Sequence, residues 1–190
     1  MSRCQARSVD LRRIKLLQSL TARAIAILLL TSMPAATQDV TEPALKAAFI
    51  YSFAKFTVWP ADAMATGAPL VLCVLGDAAI GEALERTVKG HTLAGRTIGV
   101  SQAAPDKRSL EGCHIAYVSG VTVGQAAEVV AGLRDAPVLT ISDVNGFTER
   151  GGIAQFFFEH GQLRFDVQLA SAKRARLQIS SRLLALARPR

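Results

Sequence analysis

The sequence predicts a single three-layer α/β domain over residues 37–190: a mostly parallel sheet that ends in a β-hairpin, with helices on both faces. Three observations carry this. Apolar strand-like runs at 69–76, 113–119 and 137–142 alternate with helical stretches, which argues for parallel strands joined by right-handed crossovers. A helix precedes them at 43–60. Two alternating runs, 152–159 and 162–169, flank His160-Gly161, a two-residue hairpin signal.

The first helix is read from its spacing. Leu45, Ala48, Phe49, Phe53, Phe56 and Trp59 recur at three- and four-residue steps, while Lys46 and Lys55 lie off that stripe. Thr41 can cap it, Pro43 fits a first turn and Pro60 ends it. The run 69–76 has the apolar continuity of a strand buried on both faces. Asp77 caps a helix to about Val88, with Ile80, Leu84 and Val88 on one side. Residues 90–100 read as a short strand pair or one strand interrupted at Gly95. A helix from about Thr122 to Leu133 follows the second strand. After the hairpin, Ser171 caps a last helix to about Arg188, with Ala172, Ala175, Ile179, Leu183 and Leu186 on its apolar face.

The amino terminus has the layout of a secretory signal peptide. Arg12, Arg13, Lys15 and Arg23 precede an apolar run at 24–30, and small residues at 34–36 place cleavage near Ala36. The run is too short for a stable membrane anchor. Cys4 lies before the apolar run and cannot serve as a lipoprotein attachment site.

Removing residues 1–36 lowers the net charge from +7 to +2, because the remainder holds 16 basic and 14 acidic residues. That argues against nucleic acid as a partner, since such a partner needs a basic footprint. Cys73 and Cys113 are the two cysteines left. In an exported chain an even count favours a disulfide between them, although two buried thiols would read the same.

Catalytic signals are sparse, and the chain reads as no enzyme and as needing no cofactor. His91, His114 and His160 are isolated, with no spacing that places two on one face for a metal. No nucleophile elbow or Walker loop occurs. Asp143 and Glu159 form a conceivable carboxylate pair, but the glycines beside them favour turns. Gly151-Gly152 likewise reads as a tight turn. The strand ends near Gly76-Asp77, Ser119-Gly120 and Ser142-Asp143 outline a crevice at the carboxyl edge of the sheet. A periplasmic small-molecule binding protein would use that crevice.

Both ends of the domain resemble the YfiR family of exported regulators. Ala-Ala-Phe-Ile-Tyr-Ser-Phe-Ala-Lys-Phe-Thr-Val-Trp-Pro at 47–60 is similar to the family's first helix. Leu-Arg-Phe-Asp-Val-Gln-Leu-Ala-Ser-Ala-Lys-Arg-Ala-Arg-Leu-Gln-Ile-Ser-Ser-Arg-Leu-Leu at 163–184 is similar to its last strand and helix. The positions of Cys73 and Cys113 also fit. The resemblance implies a periplasmic repressor that binds the sensing domain of an inner-membrane diguanylate cyclase and holds cyclic-di-GMP synthesis down. It also implies a supporting disulfide, and relief by redox state or an outer-membrane lipoprotein. A second copy of the chain is a further candidate partner. Two departures stand out: no second cysteine pair occurs at 143–153, and Gln168 stands where an asparagine is expected. A regulator needs an exposed patch with a few anchors. The hairpin–helix junction is the expected patch, with Phe165 and Val167 as anchors if that strand face is uncovered. Glu159, Lys173 and Arg174 form its rim.

Overall fold

The computed structural model describes residues 40–104 and 108–188. The signal-peptide expectation, including Ala36 and Cys4, lies outside them.

The first helix, α1 (Glu42–Lys55), takes its turn from Thr41, whose extended backbone is that of a cap although its hydroxyl makes no capping bond. It stops before the expected Pro60. Thr57 and Val58, both β-branched and therefore suited to strands, form β1 (Thr57–Val58) instead. β1 pairs antiparallel with β9 (Gln178–Ile179) near the other end of the chain.

The main sheet is built from β2 (Leu70–Leu75), β3 (Thr92–Leu93), β4 (Arg96–Ala103), β5 (Ile115–Val118), β6 (Leu139–Ser142), β7 (Ala154–Glu159) and β8 (Gln162–Val167). Its spatial order is β3-β4-β2-β5-β6-β7-β8. From β4 to β7 neighbouring strands are parallel, and the β3 and β8 edges are antiparallel. Both hairpins turn on a pair of left-handed residues, Ala94-Gly95 and His160-Gly161. That pair suits the right-handed twist of the flanking strands.

Helices α2 (Ala78–Val88) and α3 (Val123–Leu133) are the crossovers, and the cap of α2 is the one the sequence predicts. The Asp77 carboxylate accepts from the Ala79 N–H, and Thr122 with Gln125 closes a capping box. Strand alternation then sorts the core onto two faces. Leu70, Leu72 and Val74 face α1 and α2, together with Tyr117, Ile141, Phe156 and Phe165. Cys73 and Leu75 face α3, together with Ala116, Val118 and Phe147. The result is the three-layer, mostly parallel architecture expected. The Cys73–Cys113 disulfide, with Cα atoms 5.9 Å apart, ties β2 to the entry of β5 on the α3 face.

The expected last helix, Ser171 to Arg188, is instead three pieces: α4 (Leu169–Arg174), β9 and α5 (Ser181–Leu184). Ser171 is buried inside α4 rather than capping it. Arg176 adopts φ +58°, a left-handed conformation that costs a non-glycine residue about 1–2 kcal/mol. The Leu177 N–H then bonds back to the Ala172 carbonyl, closing the helix. The break releases Gln178 and Ile179 to pair with β1, and the Arg176 guanidinium reaches Asp62 at 2.7 Å. Ala172, Ala175 and Leu183 are buried as expected, but Leu186 is exposed.

Candidate functional site

Parallel strands of this kind leave a ligand crevice beyond their carboxyl ends, where successive connections diverge. Here β2 and β5 are those strands, and their crevice is filled by backbone. A Cβ on Gly76 would lie 1.8 Å from the Ser119 carbonyl oxygen, so glycine at φ +90° is what allows the approach. Ser142 is also committed to structure: its hydroxyl donates to the Val118 carbonyl at 2.6 Å and accepts from the Val144 N–H at 3.0 Å.

The open space lies one strand further on, at Asp143. Three donors converge on its Oδ2: Lys46 Nζ at 2.6 Å, Ser119 Oγ at 2.8 Å and Tyr117 Oη at 3.1 Å. Among the described residues Oδ1 receives no hydrogen bond. Lys46 belongs to α1 and, although it lies off the stripe read from the sequence, is only 6% exposed. It also meets Glu42, one turn earlier, at 2.6 Å. α1 is apolar on most sides because it packs against α2 as well as the sheet, so Ala47, Ile50, Phe53 and Ala54 are buried with Lys46. A stripe counted from the aromatic residues alone misses that second contact.

Burial by itself would pull the Lys46 pKa down. The hydrogen bonds and charges of Asp143 and Glu42 outweigh it and hold the ammonium above the ordinary lysine value. Tyr117 is held protonated by burial and by the Asp143 charge. Neither group is therefore poised to accept a proton, and the arrangement fixes charge rather than moving it. Above the ion pair lies a cleft of about 340 Å³ between α1 and the hairpin, lined by Glu42, Lys46, Asp143, Phe156, Phe158 and Leu163, among others.

The expected partner residues do not form one patch. Phe165 is 1% and Val167 9% exposed; their face of β8 is covered by α1, where Phe53 and Phe165 stack edge to face at 5.1 Å. As anchors for a partner they are corrected to core. Glu159 sits at the hairpin tip, paired with Gln162. Lys173 and Arg174 follow the other end of β8, roughly 17 Å away at the strand rise. Both are exposed, and Arg174 donates to the Ser171 hydroxyl at 2.9 Å. The β8 edge itself is held by Arg188, whose N–H donates to the Phe165 carbonyl and whose guanidinium grips the buried Asp166 with two bonds.

The sequence marks Asp143 and Ser119 as strand ends but assigns neither Lys46 nor Tyr117 to a site. The available signal was the coincidence of Ser119 and Asp143 at neighbouring strand ends; the lysine that completes them is 97 residues from Asp143.

Fold and site together define a disulfide-bonded three-layer α/β domain with a charged cleft at the carboxyl edge of its sheet. The YfiR/HmsC-like family model matches residues 43–188, and the chain belongs to that family. No curated protein matches it. Among solved structures it is similar to a conserved domain protein from Vibrio cholerae O1 biovar El Tor, with a TM-score of 0.56 at 12% identity. That likeness spans 78% of this chain and 60% of the neighbour's length, and it speaks to the fold alone.

Proposed function

We propose that this chain is an exported regulatory protein, acting in the periplasm, that binds the sensor domain of an inner-membrane diguanylate cyclase and lowers cyclic-di-GMP signalling. The family match over residues 43–188 carries the reading, because it takes in both signature segments and nearly all of the described fold. The disulfide supports it, since such bonds persist in oxidising compartments. The partner surface in this reading is the exposed face of α4, with Lys173 and Arg174 beside the exposed Leu169. A cationic rim around an apolar residue fits an acidic, partly apolar partner and speeds encounter with it. An outer-membrane lipoprotein that competes for this face would relieve repression.

The test is cellular cyclic-di-GMP after export of the chain, with and without the neighbouring membrane cyclase. A fall that needs both export and the cyclase supports the reading. An unchanged level with folded, oxidised protein in the periplasm overturns it.

A further inference from the structure

We propose that the cleft above Lys46 and Asp143 binds a small organic cation: an ammonium or guanidinium group carried on an apolar body. This goes beyond the partner reading and is independent of it.

The charge comes first. One ammonium, Lys46, faces two carboxylates, Asp143 and Glu42, so the cluster keeps a net negative charge. Lys46 is nearly enclosed, and removing a charge from water is costly unless it is fully compensated. Asp143 Oδ2 supplies that compensation and is saturated by three donors, while Oδ1 of the same carboxylate, on a residue that lines the cleft, receives no hydrogen bond among the described residues. An incoming N–H donor has an acceptor waiting that the fold does not use. Glu42 offers a second at the rim, where its side chain is half-exposed. An anionic ligand would meet two carboxylates against a single ammonium.

The wall supplies the second half. Phe158 and Leu163 oppose each other directly across the hairpin, and Phe156 lies on the same face. Phe158 is 49% exposed although its neighbours on that face are buried. An aromatic ring beside a carboxylate suits a cation with an apolar body, through burial and cation–π attraction together. A cleft of about 340 Å³ admits a molecule of one ring or a short aliphatic chain. Its place, beyond the carboxyl end of β6, is one strand from the switch point between β2 and β5.

The experiment is isothermal titration calorimetry on the full, oxidised chain at neutral pH. The probes are 2-phenylethylamine, its neutral isostere 2-phenylethanol and its anionic counterpart phenylacetate. Saturable binding of the amine is expected, with phenylacetate weaker by more than about tenfold. Glu42→Gln and Phe158→Ser change side chains that are about half exposed, and a thermal melt of each, run beside the titration, checks that the variant is folded. Each is expected to weaken the amine by roughly fivefold to tenfold. Absence of saturable amine binding overturns the proposal. So does equal binding of phenylacetate, or an amine affinity that neither variant lowers.

Discussion

The ammonium of Lys46 lies 2.6 Å from the Asp143 carboxylate and joins the first helix to the end of the fourth parallel strand. This is a pair whose members depend on each other. Removing one partner strands the other charge in a poorly hydrated place, at a cost of about 3–5 kcal/mol in fully buried cases. Asp143 keeps some contact with water, so Lys46→Met is expected to cost about 3 kcal/mol. Lys46→Met combined with Asp143→Asn removes both charges and should recover part of that loss. Urea unfolding checks it: the single variant shifts the midpoint downward, and the double variant lies between it and the parent. A double variant no better than the single would show that packing of the lysine stem, not charge, carries the effect.

Acid should weaken the fold through His114. Burial lowers its pKa below the ordinary 6.5, the nearby Arg96 charge pushes in the same direction, and its Nδ1 accepts the Val71 N–H at 3.0 Å. The unfolded chain therefore takes up a proton at a higher pH than the folded one. Stability is complete above about pH 6.5 and falls as the pH drops from there toward the lower folded value. His114→Asn keeps an acceptor near the Val71 N–H and removes the titration. Melting temperatures between pH 5 and 7 should slope for the parent and flatten for the variant.

Reduction of Cys73–Cys113 is expected to cost about 4 kcal/mol, the chain-entropy value for a loop spanning 40 residues. Both sulfurs are buried, so reductant should act slowly on the native protein and quickly once it is partly unfolded. A Cys73→Ala/Cys113→Ala variant with the melting temperature of the oxidised parent would count against this role.

Lys173→Glu and Phe165→Ala separate surface from core. The first reverses an exposed charge and should weaken partner binding at unchanged stability. The second empties a site behind α1 and should cost about 3–5 kcal/mol. Circular dichroism melts beside co-purification with the cyclase sensor domain distinguish them. Full binding by folded Lys173→Glu removes α4 from the interface.

Much of this architecture was legible because local signals and tertiary structure agree. Asp77 and Thr122 cap the helices they precede, and His160-Gly161 turns the hairpin between runs whose period is two. The alternation of strand and helix was enough to order the layers. The reading failed where a distant partner decides. Nothing local to Arg176 announces a left-handed residue, because β1 gives that break its purpose from more than a hundred positions away. Lys46 looks wet beside its neighbours, since its burial depends on Asp143 and on α2. Phe165 and Val167 alternate cleanly with polar residues, and alternation does not say which side is dry. The candidate cleft draws on α1, β6 and the hairpin at once, and no single stretch of sequence contains it.

The pairing of Thr57 with Ile179 has a consequence for the order of events. The aromatic cluster of Phe49, Phe53, Phe156 and Phe165 is likewise shared between the first helix and the last hairpin. Segments at opposite ends of the domain thus make one interface, and helix α1 waits for the latest strand of the described residues. Contacts so remote in sequence delay folding, because the long loop must close before they contribute. A nascent chain cut short before residue 179 would lack the partner of Thr57 and the buried Leu183, and its first helix would stay unclasped. The two end motifs are two halves of a single clasp, and a chimera that replaces one without the other should fail to close.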